Sequence, residues 1–111
     1  MEKDKSIKQE NMMIFEDKYE VQNMTVFSTA HITKKDGNKL MQNEGERVCW
    51  YNFDYGHFIL LRSDMTKKAI IADGFSEAFA NVYLTARAMG STCMTLDCDG
   101  PIYEQHEVFE W

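Results

Sequence analysis

Two apolar runs, Arg47–Phe53 and His57–Arg62, sit on either side of a short break, Asp54-Tyr55-Gly56. Side chains of a strand alternate between two faces. Val48 and Trp50 therefore stand on one side of the first run, with Cys49, Tyr51 and Phe53 on the other. Phe58 and Leu60 alternate with Ile59 and Leu61 in the same way. The pattern predicts a β-hairpin whose turn uses Gly56 at positive φ. A hairpin apolar on both faces belongs in the middle of a sheet, or else something covers its second face.

The segments around the hairpin read as two strand–helix units. Asn23–Ile32 alternates Met24, Val26, Ser28, Ala30 and Ile32 with Thr25, Phe27, Thr29 and His31, which predicts a strand. Thr33 then starts a short helix, with Asp36 as its capping-box partner and Leu40 and Met41 as its apolar contact. Gly37 inside that helix weakens it by about 1 kcal/mol relative to alanine. Ser63–Gly74 reads as a loop with a brief apolar run, Ala69–Ala72. A longer helix follows, with Phe75, Ala78, Phe79, Val82, Tyr83, Ala86 and Met89 on one stripe. Asp73 or Ser76 is its N-cap, and Gly90 its left-handed terminus. Thr92–Asp97 is the next strand. Glu107–Trp111 is a candidate edge strand after the Gly100-Pro101 turn. The order predicts an α+β fold of ferredoxin-like, split β-α-β plan, with an antiparallel sheet of four to five strands and two helices on one face. Residues 1–20 read as a flexible leader, with an apolar patch at Met12-Met13-Ile14-Phe15, and residues 21–111 as one domain.

Charge narrows the partners. The formal charge of −6 is uneven: residues 1–39 balance, whereas residues 40–111 carry eleven acids against five bases. From Asp97 onward there are five acids and no Lys or Arg. Such an end repels a phosphate backbone, so direct nucleic-acid binding is disfavoured and a basic protein surface is favoured. Tyr51, Phe53 and Phe27 resemble the aromatic set of an RNA-stacking sheet, but the acidic charge opposes that use. The sequence shows no apolar run long enough to span a bilayer, and Cys49, Cys93 and Cys98 form no paired motif. Together these point to a cytoplasmic protein with reduced thiols.

The residues able to carry chemistry are few. His31 at the end of its strand, with Asp97 and Asp99, is a candidate ligand or acid–base site, but only if their strands run parallel. In the antiparallel plan His31 falls near Asp54, His57 and Cys93 instead. Those residues lack the paired spacing of a zinc site, so neither a metal nor a cofactor is expected. Asp97-x-Asp99 looks like the haloacid dehalogenase nucleophile motif, yet only twelve residues follow Asp99 and the later strands of that fold have no room.

The segments Ser28-Thr29-Ala30-His31-Ile32, Tyr55-Gly56, Ala86–Gly90 and Leu96–Pro101 with the terminal Glu110-Trp111 resemble a small uncharacterised domain family carried on plasmids, phages and other mobile elements. The resemblance covers about residues 23–111. It implies no activity and no catalytic residue, and it suggests a setting in which small acidic proteins block host defence. The leading expectation is a non-enzymatic binding protein, an anti-CRISPR or anti-restriction inhibitor that occupies a basic nucleic-acid-binding surface. Asp97, Asp99, Glu104, Glu107 and Glu110 would supply the charge, and Tyr103, Phe109 and Trp111 the apolar anchors. Two other expectations stand beside it. One is a small enzyme or ligand-binding domain using His31 with Asp97 or Asp99. The other is a structural module, monomer or homodimer, that pairs through an apolar sheet face.

Overall fold

Four strands and three α-helices build the described part of the chain, residues 19–43 and 46–111 of the computed structural model. In chain order they are β1 (Met24–Ser28), a 3-10 turn (Thr29–His31), α1 (Lys34–Met41), β2 (Cys49–Phe53), β3 (Gly56–Leu60), α2 (Lys67–Ala72), α3 (Glu77–Ala88) and β4 (Cys93–Asp97). The Met12–Phe15 patch and residues 1–18 of the expected leader lie outside the described residues.

The α+β class stands, but the sheet is mixed rather than antiparallel. Its order is β1-β4-β3-β2, with β1 parallel to β4 and the other two pairings antiparallel. The β3–β4 connection departs from expectation within Ser63–Gly74, read from the sequence as a loop. Thr66 caps a helix there, its hydroxyl accepting from the Ala69 N–H at 3.1 Å. One helix between β3 and β4 would carry the chain across the sheet once and leave the two strands parallel in direction. The connection instead holds two helices, α2 and α3. β4 starts where β3 ends, and the Leu61 N–H donates to the Thr92 carbonyl at 2.9 Å at that junction. The register then sets Ser28 beside Asp97 and Met24 beside Cys93.

All three helices pack on one face. Phe27, Ile59, Met94 and Leu96 of the sheet meet Leu40, Ile70, Phe79, Val82 and Tyr83 in one buried cluster. Each such side chain contributes about 1.5–3 kcal/mol by leaving water. The predicted stripe of α3 holds from Phe75 to Ala86, whereas Met89 lies past the helix end and is exposed. Gly90 ends α3 at φ +90°, with Gly90 N–H on the Arg87 carbonyl and Ser91 N–H on the Ala86 carbonyl.

Caps form where the sequence placed two of them. Thr33 and Asp36 make the full capping box, and Ser76 is the N-cap of α3. Asp36 also joins the two helices, because its carboxylate accepts from the Ser76 N–H at 2.8 Å and from the Ser76 hydroxyl. Asp73 does not cap α3. It accepts the backbone N–H groups of Glu46, Arg47 and Val48 and so holds the entry to β2.

The hairpin differs from expectation twice. β2 is an edge strand, not a central one, and Cys49, Tyr51 and Phe53 remain exposed on the face away from the helices. Gly56 is needed for space and not for positive φ: a Cβ there would sit 1.8 Å from the Leu96 carbonyl oxygen.

Candidate functional site

β1 stops at Ser28 because its own side chain turns the backbone. The Ser28 hydroxyl accepts from the Ala30 N–H at 3.0 Å, and the 3-10 turn closes with Ile32 N–H on the Thr29 carbonyl. The turn swings His31 inward until only 1% of it is exposed. Both of its ring nitrogens then meet the backbone of the C-terminal segment. Nε2 accepts from the Tyr103 N–H at 2.9 Å, so Nδ1 carries the proton and donates to the Glu107 carbonyl at 2.7 Å. His31 is thus a neutral latch with no lone pair left for a metal or a substrate proton.

Residues 101–111 run as a strap over that latch. Pro101 accepts from the Ser28 N–H, Tyr103 donates its hydroxyl to the Val26 carbonyl, and Phe109 N–H reaches the Ala30 carbonyl. Trp111 finishes the series by donating its indole N–H to the Ile32 carbonyl at 3.1 Å. The strap is not the edge strand expected at Glu107–Trp111. β1 has already curled into the 3-10 turn, which leaves no extended edge to pair with, and among the described residues the Phe109 bond is the only backbone–backbone contact that segment makes with the turn.

Aromatic packing tightens the latch. Tyr103 stacks on His31 with ring centroids 6.0 Å apart and meets the Phe27 ring edge-on at 5.5 Å. His106 lies edge-on to both Phe27 and His31. Burial pulls the His106 pKa below its ordinary value. Two grooves, about 450 and 380 Å³, open between the strap and α3 on either side of His106. Asn81, Thr85 and Gln105 give them neutral hydrogen-bonding groups.

Parallel pairing brings Asp97 to the same end of the sheet as His31, as the ligand-site expectation required. It does not join them. No hydrogen bond links His31 to Asp97 or Asp99, and the groove beside His31 contains neither aspartate. Asp97 instead accepts from the Asp99 N–H at 2.8 Å, closing the turn after β4. Asp97, Cys98 and Asp99 bring their side-chain donor atoms within 4.8 Å of one another, with Cys98 and Asp99 exposed. The antiparallel arrangement that set His31 near Cys93 is reversed, since Cys93 lies at the far end of β4. His57 faces the helix side, where its Nδ1–H donates to the Asn52 side-chain oxygen at 2.7 Å. Burial lowers its pKa.

The three aromatics chosen as partner anchors are fastened within the molecule to different degrees. Tyr103 is half-buried by the latch, Phe109 is half-buried, and Trp111 covers Gly37 of α1 yet stays 54% exposed. Asp99, Glu104, Glu107 and Glu110 are exposed and Asp97 partly so. None of the five forms an ion pair among the described residues, where the pairs are Arg62–Asp64 and Lys67–Glu77. The sequence did not single out His106, Asn81 or Thr85. They meet only because the strap crosses α3, and no local pattern signals that crossing.

Residues 24–111 match the model for the C-terminal domain of a family of unknown function, DUF5983. No curated protein and no solved structure matches the chain.

Proposed function

The chain belongs to DUF5983, a family of unknown function, and we propose that it is a non-enzymatic acidic binding protein whose strap presents carboxylates to a basic surface of a protein partner. The observation that carries this reading is the pinned strap itself. It holds Glu104, Glu107 and Glu110 on backbone fixed to His31, β1 and α1, with Asp97 and Asp99 at its root and, among the described residues, no ion pair compensating any of them. Carboxylates on a fixed backbone lose less entropy on binding than carboxylates on a loose tail. Electrostatic complementarity of that kind mainly speeds encounter and selects the partner. A nucleic-acid-binding channel is the kind of basic surface that fits, and a defence nuclease of the CRISPR or restriction type is the partner class in view.

The test compares the wild type with a variant carrying Asp99→Lys, Glu104→Lys and Glu110→Lys. Both are tagged, used to capture partners from a bacterial lysate, and washed at low and then high salt. The expected result is a nucleic-acid-binding protein that elutes from the wild type with salt, is absent from the variant, and loses its DNA when the purified wild type is added. Identical eluates from the two proteins would refute the reading.

A further inference from the structure

The hydrogen-bond phase of the sheet can be followed outward to its free edge. Leu61 N–H bonds to the Thr92 carbonyl and Cys98 N–H to the Tyr55 carbonyl, so the odd-numbered residues along β3 bond to β4. The even-numbered ones then bond to β2, and through the register Cys49, Tyr51 and Phe53 are the β2 residues that answer them. Trp50 and Asn52 are left to direct their N–H and C=O groups away from the sheet. Neither backbone has a hydrogen-bond partner among the described residues. β2 is therefore an open edge of five residues with no proline and no charge, the kind of edge that proteins ordinarily protect.

We infer that a second copy of this chain covers that edge, β2 pairing antiparallel with β2 about a two-fold axis through Tyr51. The register follows from the phase together with the length of the strand. Trp50 and Asn52 both face outward, and an antiparallel hydrogen-bonded pair needs an outward-facing residue on each strand. Of the registers that meet this need, the one that overlaps all five residues of both strands pairs Trp50 of one copy with Asn52 of the other, so that Tyr51 opposes itself. On the face away from the helices this pairing sets Tyr51 against Tyr51 and Cys49 against Phe53. It covers side chains that are 65% exposed at Tyr51 and 42% at Phe53 in the single chain. The same register carries Arg47 of each copy to the Asp54-Tyr55 turn of the other. Neither the Arg47 guanidinium nor the Asp54 carboxylate has an ion-pair partner among the described residues. The two unmatched charges thus become neighbours twice, once on each side of the axis. The arrangement is isologous and closed, and it merges two four-stranded sheets into one. The straps lie toward β1, at the two far edges of that joint sheet, so pairing leaves the proposed acidic surface free.

Sedimentation equilibrium of the wild type, with Tyr51→Lys and Tyr51→Cys beside it, tests the inference. The wild type should show twice the 13.0 kDa chain mass. Tyr51→Lys puts like charges on the axis at an exposed position and should weaken association by about tenfold or more, with its melting transition retained. Tyr51→Cys, made with Cys49→Ser and Cys98→Ser, should form a disulfide-linked dimer on mild oxidation. Opposed residues of a non-hydrogen-bonded pair lie about 4.5 Å apart at Cα, within disulfide reach. Met24→Cys on the opposite edge, in the same background, should not crosslink. A wild-type monomer at the highest concentration reached would overturn the inference. So would a dimer that Tyr51→Lys leaves intact and Tyr51→Cys fails to link, since that dimer would use another surface.

Discussion

His31 shows how one side chain can settle the course of eleven residues. A buried imidazole is tolerated when both nitrogens are satisfied, and here the two partners are backbone groups of residues 103 and 107. Replacing His31 with alanine strands the Tyr103 N–H and the Glu107 carbonyl and removes the ring on which Tyr103 stacks. The expected cost is about 3 kcal/mol. Hydrogen exchange across residues 101–111 should rise well before the sheet loses protection, and exchange unchanged there would mean the strap is held by other contacts. Gly37 is a companion case in which propensity and packing oppose each other. Alanine at that position favours a helix by about 1 kcal/mol, yet its Cβ would lie 2.6 Å from the Trp111 ring. Gly37→Ala should therefore displace Trp111, red-shift the tryptophan emission and leave the melting temperature without the gain that propensity alone promises. An unshifted spectrum with a higher melting temperature would show that the ring can make room.

Elements were legible in the sequence wherever the signal was local. The capping box at Thr33, the Ser76 cap, the Gly90 terminus and the stripe from Phe75 to Ala86 are all set by residues within a few positions of one another, and all form. Lys67–Ala72 is a helix where the sequence predicts a loop. Its six residues are too few for a periodic stripe to register, and only Ile70 among them is buried. The β3–β4 connection thus holds two helices where one was expected, and β4 runs parallel to β1. The candidate site was legible in part. Its acids and aromatics were in view, whereas the role of His31 was not, because both of its partners are backbone groups more than seventy positions away. The Asp36–Ser76 link is of the same long-range kind, at forty residues. Asp36→Ala removes the shared acceptor of two helix starts and should cost about 3 kcal/mol. Loss from chemical denaturation confined to one helix, with the other unaffected, would show that the two starts are independent.

At the scale of the whole molecule, titration and net charge act in the same region of pH. Burial lowers the pKa of both His57 and His106. A group whose folded pKa is depressed binds its proton more readily in the unfolded chain. The stability it supports is thus complete above the unfolded value, about 6.5, and is lost as pH falls from there through the lower folded value. The melting temperature should fall between pH 7.5 and pH 5.5 on these grounds, before most carboxylates protonate. His57→Gln keeps a donor toward Asn52 and removes the titration, so its profile should be flatter than that of the wild type over the same interval. An equal slope in the two proteins would assign the acid sensitivity elsewhere. Salt separates this effect from charge repulsion. The excess of six negative charges lies wholly in residues 40–111, where the strap acids have no compensating ion pair among the described residues. Screening shortens the reach of that repulsion from about 30 Å at 0.01 M salt to about 3 Å at 1 M. Raising salt at pH 7.5 should therefore stabilise the fold by about 1 kcal/mol, and the gain should shrink in the variant with Asp99, Glu104 and Glu110 changed to lysine. A wild type that loses stability with salt would mean that attractive pairs outweigh the repulsion, and that the strap carboxylates are less free than their geometry indicates.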